Sequence, residues 1–285
     1  MKENQQFDST GAAASAKNEG RIEKEFANEK RTRMGSHDKT KGILNVYFTA
    51  GFPEKDDTLR IAKALERGGA DMIEIGMPFS DPIADGPTIQ ESSARALVNG
   101  MNIPILFEQL TDLRKHVQLP VLLMGYLNPI LQYGMERFLS DCRRVGIDGL
   151  IIPDLPLQEY LEHHELYFRE NGLRNVFLIS PNTSEERIRA IDRHSTGFVY
   201  MVATAGTTGA RAGIGDSQLA YFDRIEKMGL EKPRLIGFGI SDKESFETAC
   251  RYADGAIIGS AFINQLKADA GDEEIEGFVK SIIGR

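Results

Sequence analysis

The sequence predicts a (β/α)8 barrel, and three observations carry that prediction. From Gly42 onward, short apolar runs alternate eight times with longer amphipathic stretches. The runs are near-continuously apolar, as parallel strands covered on both faces are. Eight such units in roughly 240 residues match the size of this fold, for which about 250 residues is typical. An open, doubly wound sheet is the competing architecture, but it usually has fewer strands.

Taken in order, residues 1–20 are small and polar with no apolar period, which predicts a disordered tail or extension. Residues 21–285 read as one barrel domain, of which 21–41 form an N-terminal helix and connector. In that helix (RIEKEFANEKR) Ile22 and Phe26 lie four apart, on one face. Strand 1 is LNVYFTAGFP (44–53), and its helix, 56–70, enters through two aspartates and closes on Gly68–Gly69. DMIEIG (71–76) is strand 2, followed by an acidic loop and helices over 87–100 and 103–117. PVLLMGYLNP (120–129) is strand 3, with its helix over 135–146. DGLIIPDLP (148–156) precedes a helix over 157–172, and NVFLIS (175–180) a helix over 184–194. GFVYMVAT (197–204) leads through a glycine-rich loop to a helix over 217–229. RLIGFG (234–239) is followed by a helix over 242–253, and GAIIGSAF (255–262) by a final helix.

The 285 residues are 41% hydrophobic, enough for a sizeable core, and the net charge is −8. Without a basic block or aromatic–basic interleaving, nucleic acid and anionic membrane surfaces are excluded as expected partners. No run of about 18 apolar residues exists and the N-terminus has no apolar signal region, so a soluble, cytoplasmic protein is expected. Cys142 and Cys250 lie far apart with no metal-ligand spacing and read as buried small residues in a reducing compartment. No metal site is expected. His163 and His164 are adjacent on a helix outside the barrel, where solvent exposure is the default.

The chemistry concentrates after strand 2, in IEIGMPFSDPIADG (73–86). Alternation places Met72, Glu74 and Gly76 on one strand face and Asp71, Ile73 and Ile75 on the other. A carboxylate inside an apolar strand is costly unless it is paired or used. Glu74 is therefore either a general acid–base group or a buried glutamate tied to a neighbouring Arg or Lys. The proline-stiffened loop can bring Asp85 round to it, and two carboxylates on a rigid frame suit acid–base work.

Function in such a barrel sits in the loops after the strands. Three consecutive loops there are glycine-rich: 205–210 with Thr208 and Gly209, 238–241 with Gly239, and 259–261 with Gly259 and Ser260. Backbone N–H groups in such loops bind phosphate without a lysine. Tyr47, Tyr126, Tyr200 and Phe238 lie at or near strand ends, with Phe79 close by, and suggest a flat aromatic ligand with a phosphorylated tail. Of the adjacent pair Tyr47 and Phe48, only one can face the interior.

These residues together resemble the tryptophan synthase alpha chain family. The stretch from Ile73 to Gly86 carries its signature, and NVYFTAGFP, LMGYLNPI, TAGTTGAR and GFGIS follow in the family's order. The resemblance implies a lyase that cleaves indole-3-glycerol phosphate, by a retro-aldol step, to indole and glyceraldehyde 3-phosphate. It implies Glu74 as the acid–base group at indole C3 and the glycerol hydroxyl, and Asp85 as the group handling the ring nitrogen. Tyr200 matches a tyrosine near Glu74, Tyr47 an aromatic against the indole, and Thr208 a loop residue that helps close the site. Gly209, Gly239, Gly259 and Ser260 match phosphate-binding positions. No cofactor is implied in this chain. Pyridoxal phosphate would belong to a partner beta chain, in an alpha2-beta2 heterotetramer that receives the indole. Loops 81–88 and 206–215 would act as lids. A free-standing lyase and a non-catalytic phosphate-binding partner remain alternatives.

Overall fold

In the computed structural model the described residues are 20–34, 42–203, 214–237, 239–267 and 270–284. Eight strands form a closed barrel in sequence order: β1 (Ile43–Thr49), β2 (Met72–Gly76), β3 (Val121–Met124), β4 (Gly149–Ile151), β5 (Arg174–Ile179), β6 (Val199–Val202), β7 (Arg234–Gly237) and β8 (Gly255–Ile258). All neighbours are parallel, including β8 with β1. Each strand is a buried apolar run because helices cover its outer face and side chains fill its inner one. The predicted barrel is the observed one, while the tail expected over residues 1–20 lies, but for Gly20, outside the described residues.

Register fixes which side chains share the interior. Tyr47 lies beside Glu74, Glu74 beside Leu122, and Leu122 beside Gly149. On the far side Leu178 pairs with Tyr200, Tyr200 with Leu235, and Gly237 with Ile257, which returns to Asn45. Because parallel neighbours in register point the same way, Asn45, Tyr47, Glu74 and Tyr200 all face inward. Phe48 takes the outer face and is fully buried there.

The helices run α1 (Arg21–Met34), α2 (Thr58–Gly68), α3 (Pro87–Val98), α4 (Ile103–Gln109), α5 (Leu113–His116), α6 (Leu127–Tyr133), α7 (Met135–Val145), α8 (Leu157–Glu159), α9 (Glu165–Glu170), α10 (Glu185–His194), α11 (Asp216–Lys227), α12 (Lys243–Tyr252), α13 (Ser260–Leu266) and α14 (Asp272–Ile283). Ile22 and Phe26 of α1 are both buried, as their spacing predicts. They sit at the N-terminal end of the barrel, where the Phe26 ring lies 6.0 Å from that of Phe198. Arg21 pairs with Asp148 at 3.0 Å and Glu23 with Arg174, so ion pairs hold the helix over strands β4 and β5. Where the barrel closes, α14 packs on α2. There Asp272 bridges Arg60 (3.1 Å) and Arg67 (2.6 Å), and Glu276 pairs with Arg67 at 2.7 Å.

Three local features differ from expectation. Strand 3 stops at Met124, and Leu127–Tyr133 is a helix rather than the end of a strand. Pro129 is compatible with it because it lies in the first turn, where an N–H has no intrahelical acceptor. The helix over 157–172 carries a π turn at Tyr160–His164. That extra residue shifts the angular phase of the helix beyond it. The side chain of His163 is 59% exposed, but that of His164 is only 11% exposed, contrary to the expected exposure of both. Burial lowers the His164 pKa.

Candidate active site

Strand β2 delivers Glu74 to the barrel interior, where it is wholly buried. Its partner is not a cation. The amide Nδ2 of Asn45, on β1, donates to Glu74 Oε1 at 2.5 Å. Burial pushes the Glu74 pKa up to about 8, and the Asn45 hydrogen bond pulls against that rise. Removing a carboxylate from water penalises its charged form, so the site favours Glu74 as the protonated acid.

Asp85 arrives on the loop between β2 and α3. It does not bond Glu74; the Tyr126 hydroxyl donates to its Oδ2 at 3.0 Å. The same hydroxyl accepts from the Ala84 N–H at 3.0 Å, and the Tyr126 ring packs 5.2 Å from that of Phe79. Burial raises the Asp85 pKa to about 6, while the tyrosine hydrogen bond holds it down. The rise at Asp85 is the smaller of the two, so Asp85 gives up its proton more readily than Glu74. Two acids from one fourteen-residue stretch are given different proton affinities by their surroundings.

Tyr47 and Tyr200 join the two acids. Burial raises both phenol pKa values, and the charges of Asp85 and Glu74 raise them further. Each ring fits because a glycine faces it. A Cβ on Gly76 would lie 2.1 Å from the Tyr47 hydroxyl oxygen, and one on Gly237 2.3 Å from that of Tyr200. From Tyr47 a polar thread leaves the site. Its hydroxyl lies 3.4 Å from Thr49 Oγ1, which is 2.7 Å from Ser92 Oγ, and Ser92 donates to the Ile89 carbonyl at 2.8 Å. A small cavity beside these groups is lined by Tyr47, Met77, Phe79, Asp85, Met124 and Tyr126. Its walls combine aromatic and thioether surface with one carboxylate, and the space between them, about 10 Å³, is that of a single water rather than of a ring.

Gly239 and Gly259 each follow by two residues a register pair, Gly237 with Ile257, so they leave adjacent strands side by side. Gly239 has φ +83°, which favours glycine. It faces Gln218, whose Oε1 accepts from the Gly215 N–H at 2.8 Å. Gly259 lies against the Tyr47 ring, and Ser260 opens α13. Thr208, Gly209 and Phe238 lie outside the described residues. Sequence reasoning missed Asn45. Its signal was an amide on the inward face of β1, two residues before Tyr47.

Known proteins resemble this chain in sequence and in fold. The family model described as tryptophan synthase alpha chain matches residues 35–281. The tryptophan synthase alpha chain of Flavobacterium johnsoniae is 54% identical over 242 residues, which are 85% of this chain and 95% of that one. The Flavobacterium psychrophilum protein of the same name is 55% identical over the same coverage. The solved tryptophan synthase alpha chain from Legionella pneumophila superposes with a TM-score of 0.79 at 32% identity, covering 92% of this chain and 95% of that one.

Proposed function

The chain belongs to the tryptophan synthase alpha chain family, whose members cleave indole-3-glycerol phosphate to indole and glyceraldehyde 3-phosphate, and we propose that Glu74 and Asp85 divide that cleavage between them. Glu74, as the acid, gives its proton to indole C3. The ring becomes cationic at nitrogen, and the Asp85 carboxylate stabilises that charge. Glu74, now a carboxylate, takes the proton of the glycerol hydroxyl on the carbon attached to C3. That carbon becomes the aldehyde, the bond to C3 breaks, and its electron pair returns to the ring. The proton placed on C3 stays there, and Glu74 regains its own, so the cycle closes on the starting state.

One observation carries this assignment: Glu74 is a fully buried acid on the barrel interior whose partner is an amide rather than a cation. A structural ion pair would keep the group ionised, whereas burial beside a neutral donor keeps it protonated and ready to give a proton. The aromatic and thioether side chains beside Asp85 support an indole site that widens when substrate enters, with Tyr126 fixing Asp85 and Tyr200 standing near Glu74. Gly239, Gly259 and Ser260 take the phosphate on their backbone N–H groups. On this reading Thr208, Gly209 and Phe238, which lie outside the described residues, also act on the substrate.

A beta chain is the partner, in an alpha2-beta2 assembly that receives the indole and holds the pyridoxal phosphate. The relatives' own names, each an alpha chain, support such a partner. Water-soluble, phosphorylated substrate and product support a cytoplasmic site of action. Among the described residues no helix is long and apolar enough to cross a membrane.

The test is indole release from indole-3-glycerol phosphate by the wild type and by Glu74→Gln, with and without an added tryptophan synthase beta chain. Wild-type cleavage that rises with the beta chain and is lost in the variant is expected. Undiminished turnover in the variant overturns the assignment of Glu74, and a rate indifferent to the beta chain overturns the partnership.

A further inference from the structure

Asn45 is a polar side chain in a place that ordinarily excludes one. It stands on β1 in the barrel interior, wholly buried, and its Nδ2 is committed to one oxygen of one carboxyl group. The second oxygen of that group, Glu74 Oε2, is also buried and has no hydrogen-bond partner among the described residues. Buried polar atoms are paired in the great majority of cases, so an orphan at the centre of a site calls for an occupant.

We propose that Asn45 is a positioning residue that divides the labour of the two Glu74 oxygens, anchoring Oε1 and leaving Oε2 to exchange the proton with substrate. The inference rests on the reading of Glu74 as the acid–base group and names a further residue for it. A carboxyl group rotates in a broad, two-fold torsional well, so without an anchor either oxygen could face the substrate. With Oε1 held, the choice is made before substrate arrives. The anchor also survives the reaction cycle. Oε1 is a carbonyl oxygen when the proton sits on Oε2 and a carboxylate oxygen when it has left, and it accepts from Asn45 in both states. The bond to the carboxylate is the stronger of the two, so Asn45 eases proton release from a site where burial opposes it.

The other groups around Glu74 do not duplicate this role. Tyr47 from β1 and Tyr200 from β6 are the ionisable groups that register its charge, and Asp85 acts on the same two phenols. Its register neighbour on β3 is Leu122. All three ionisable neighbours are acids, so none of them stabilises the Glu74 anion as a cation would. An amide that never titrates can.

The test is a pH titration of the Glu74 carboxyl carbon by 13C NMR on the full chain, labelled at glutamate Cδ. Its resonance is assigned by its loss in Glu74→Gln. The wild type is compared with Asn45→Leu, an apolar side chain of similar size, and with Asn45→Val should the first fail to fold. Loss of the donor is expected to raise the inflection by about one pH unit or more, the worth of a hydrogen bond to a charged group. The kcat of indole release should fall by about tenfold with KM little changed. An inflection that stays in place or moves down overturns the proposal, even if the variant melts at a lower temperature, because a merely structural asparagine would affect melting alone. The titration reads the Asn45–Glu74 bond whatever Glu74 does. Full turnover by Glu74→Gln would overturn the functional reading and leave a shifted inflection standing.

Discussion

The Tyr126 hydroxyl donates to Asp85 Oδ2 at 3.0 Å while accepting from the Ala84 N–H, so one phenol fixes both the backbone and the acid of the same loop. Tyr126→Phe removes the donor that holds the Asp85 pKa down at about 6. The acid limb of the kcat/KM profile should then move up by about one unit. An acid limb that stays in place in the variant would separate Asp85 from that titration.

For the wild type the same two groups predict a bell-shaped profile. Activity falls below about pH 6 as Asp85 gains a proton, and above about pH 8 as Glu74 loses its own. The base limb should disappear from the residual activity of Glu74→Gln.

Glu74→Gln should lower turnover by roughly 10²–10⁴-fold, the range for a general acid–base group. It should also stabilise the fold. The folded-state pKa, about 8, lies above the ordinary 4.5, so the native state binds the proton more tightly than the unfolded chain. The associated stability is complete below about pH 4.5 and is lost as pH rises through about 8. The variant escapes this loss and should gain on the order of 1–3 kcal/mol at pH 8–9. Denaturant melts at pH 5 and pH 9 check it: the difference between the two proteins must widen at the higher pH.

Gly76→Ala should disable the site by sterics alone. Its Cβ would fall 2.1 Å from the Tyr47 hydroxyl oxygen, within a tightly packed interior. A destabilisation of about 1–3 kcal/mol is expected, with loss of turnover. Adding Tyr47→Phe removes the colliding oxygen and should restore part of the stability, measurable as a coupling energy in a double-mutant cycle. Strict additivity would mean that the two residues do not meet as described.

Gly259→Ala is sterically mild, because its Cβ would meet the Tyr47 ring at 3.4 Å, an ordinary contact. Gly259→Trp is not mild and should crowd the phosphate. We expect KM to rise steeply in the second variant and little in the first, with competition by inorganic phosphate weakened in parallel. An unaltered KM in Gly259→Trp places the phosphate elsewhere.

At the opposite end of the barrel, Ile22→Ala should cost about 2–5 kcal/mol by leaving a cavity under α1. Because α1 lies away from Glu74 and Asp85, the KM of the folded fraction should not change. A shifted KM would show that this helix reaches the site.

Much of this protein was legible in one dimension. The eightfold alternation of apolar runs and amphipathic stretches specified the barrel, because strands covered on both faces must be apolar throughout. Alternation within β2 turned Glu74 inward, and the spacing of Ile22 and Phe26 marked the buried face of α1. The helix at Leu127–Tyr133 escaped because a proline in its first turn resembles a strand-ending turn. The burial of His164 escaped because a π turn has no residue signature.

Local periodicity determines which face a side chain takes; it does not determine which side chain it meets. That Glu74 meets Asn45, 29 residues earlier, that Asp85 meets Tyr126 rather than Glu74, and that Tyr47 lies over Gly76 are consequences of strand register and barrel closure. Register is an agreement between segments far apart in the chain, reached only when all eight strands close on one another. The sequence alone therefore determined the architecture and offered Glu74 and Asp85 as candidate acids. Only the tertiary structure decided their partners, and with them which acid holds its proton the more tightly.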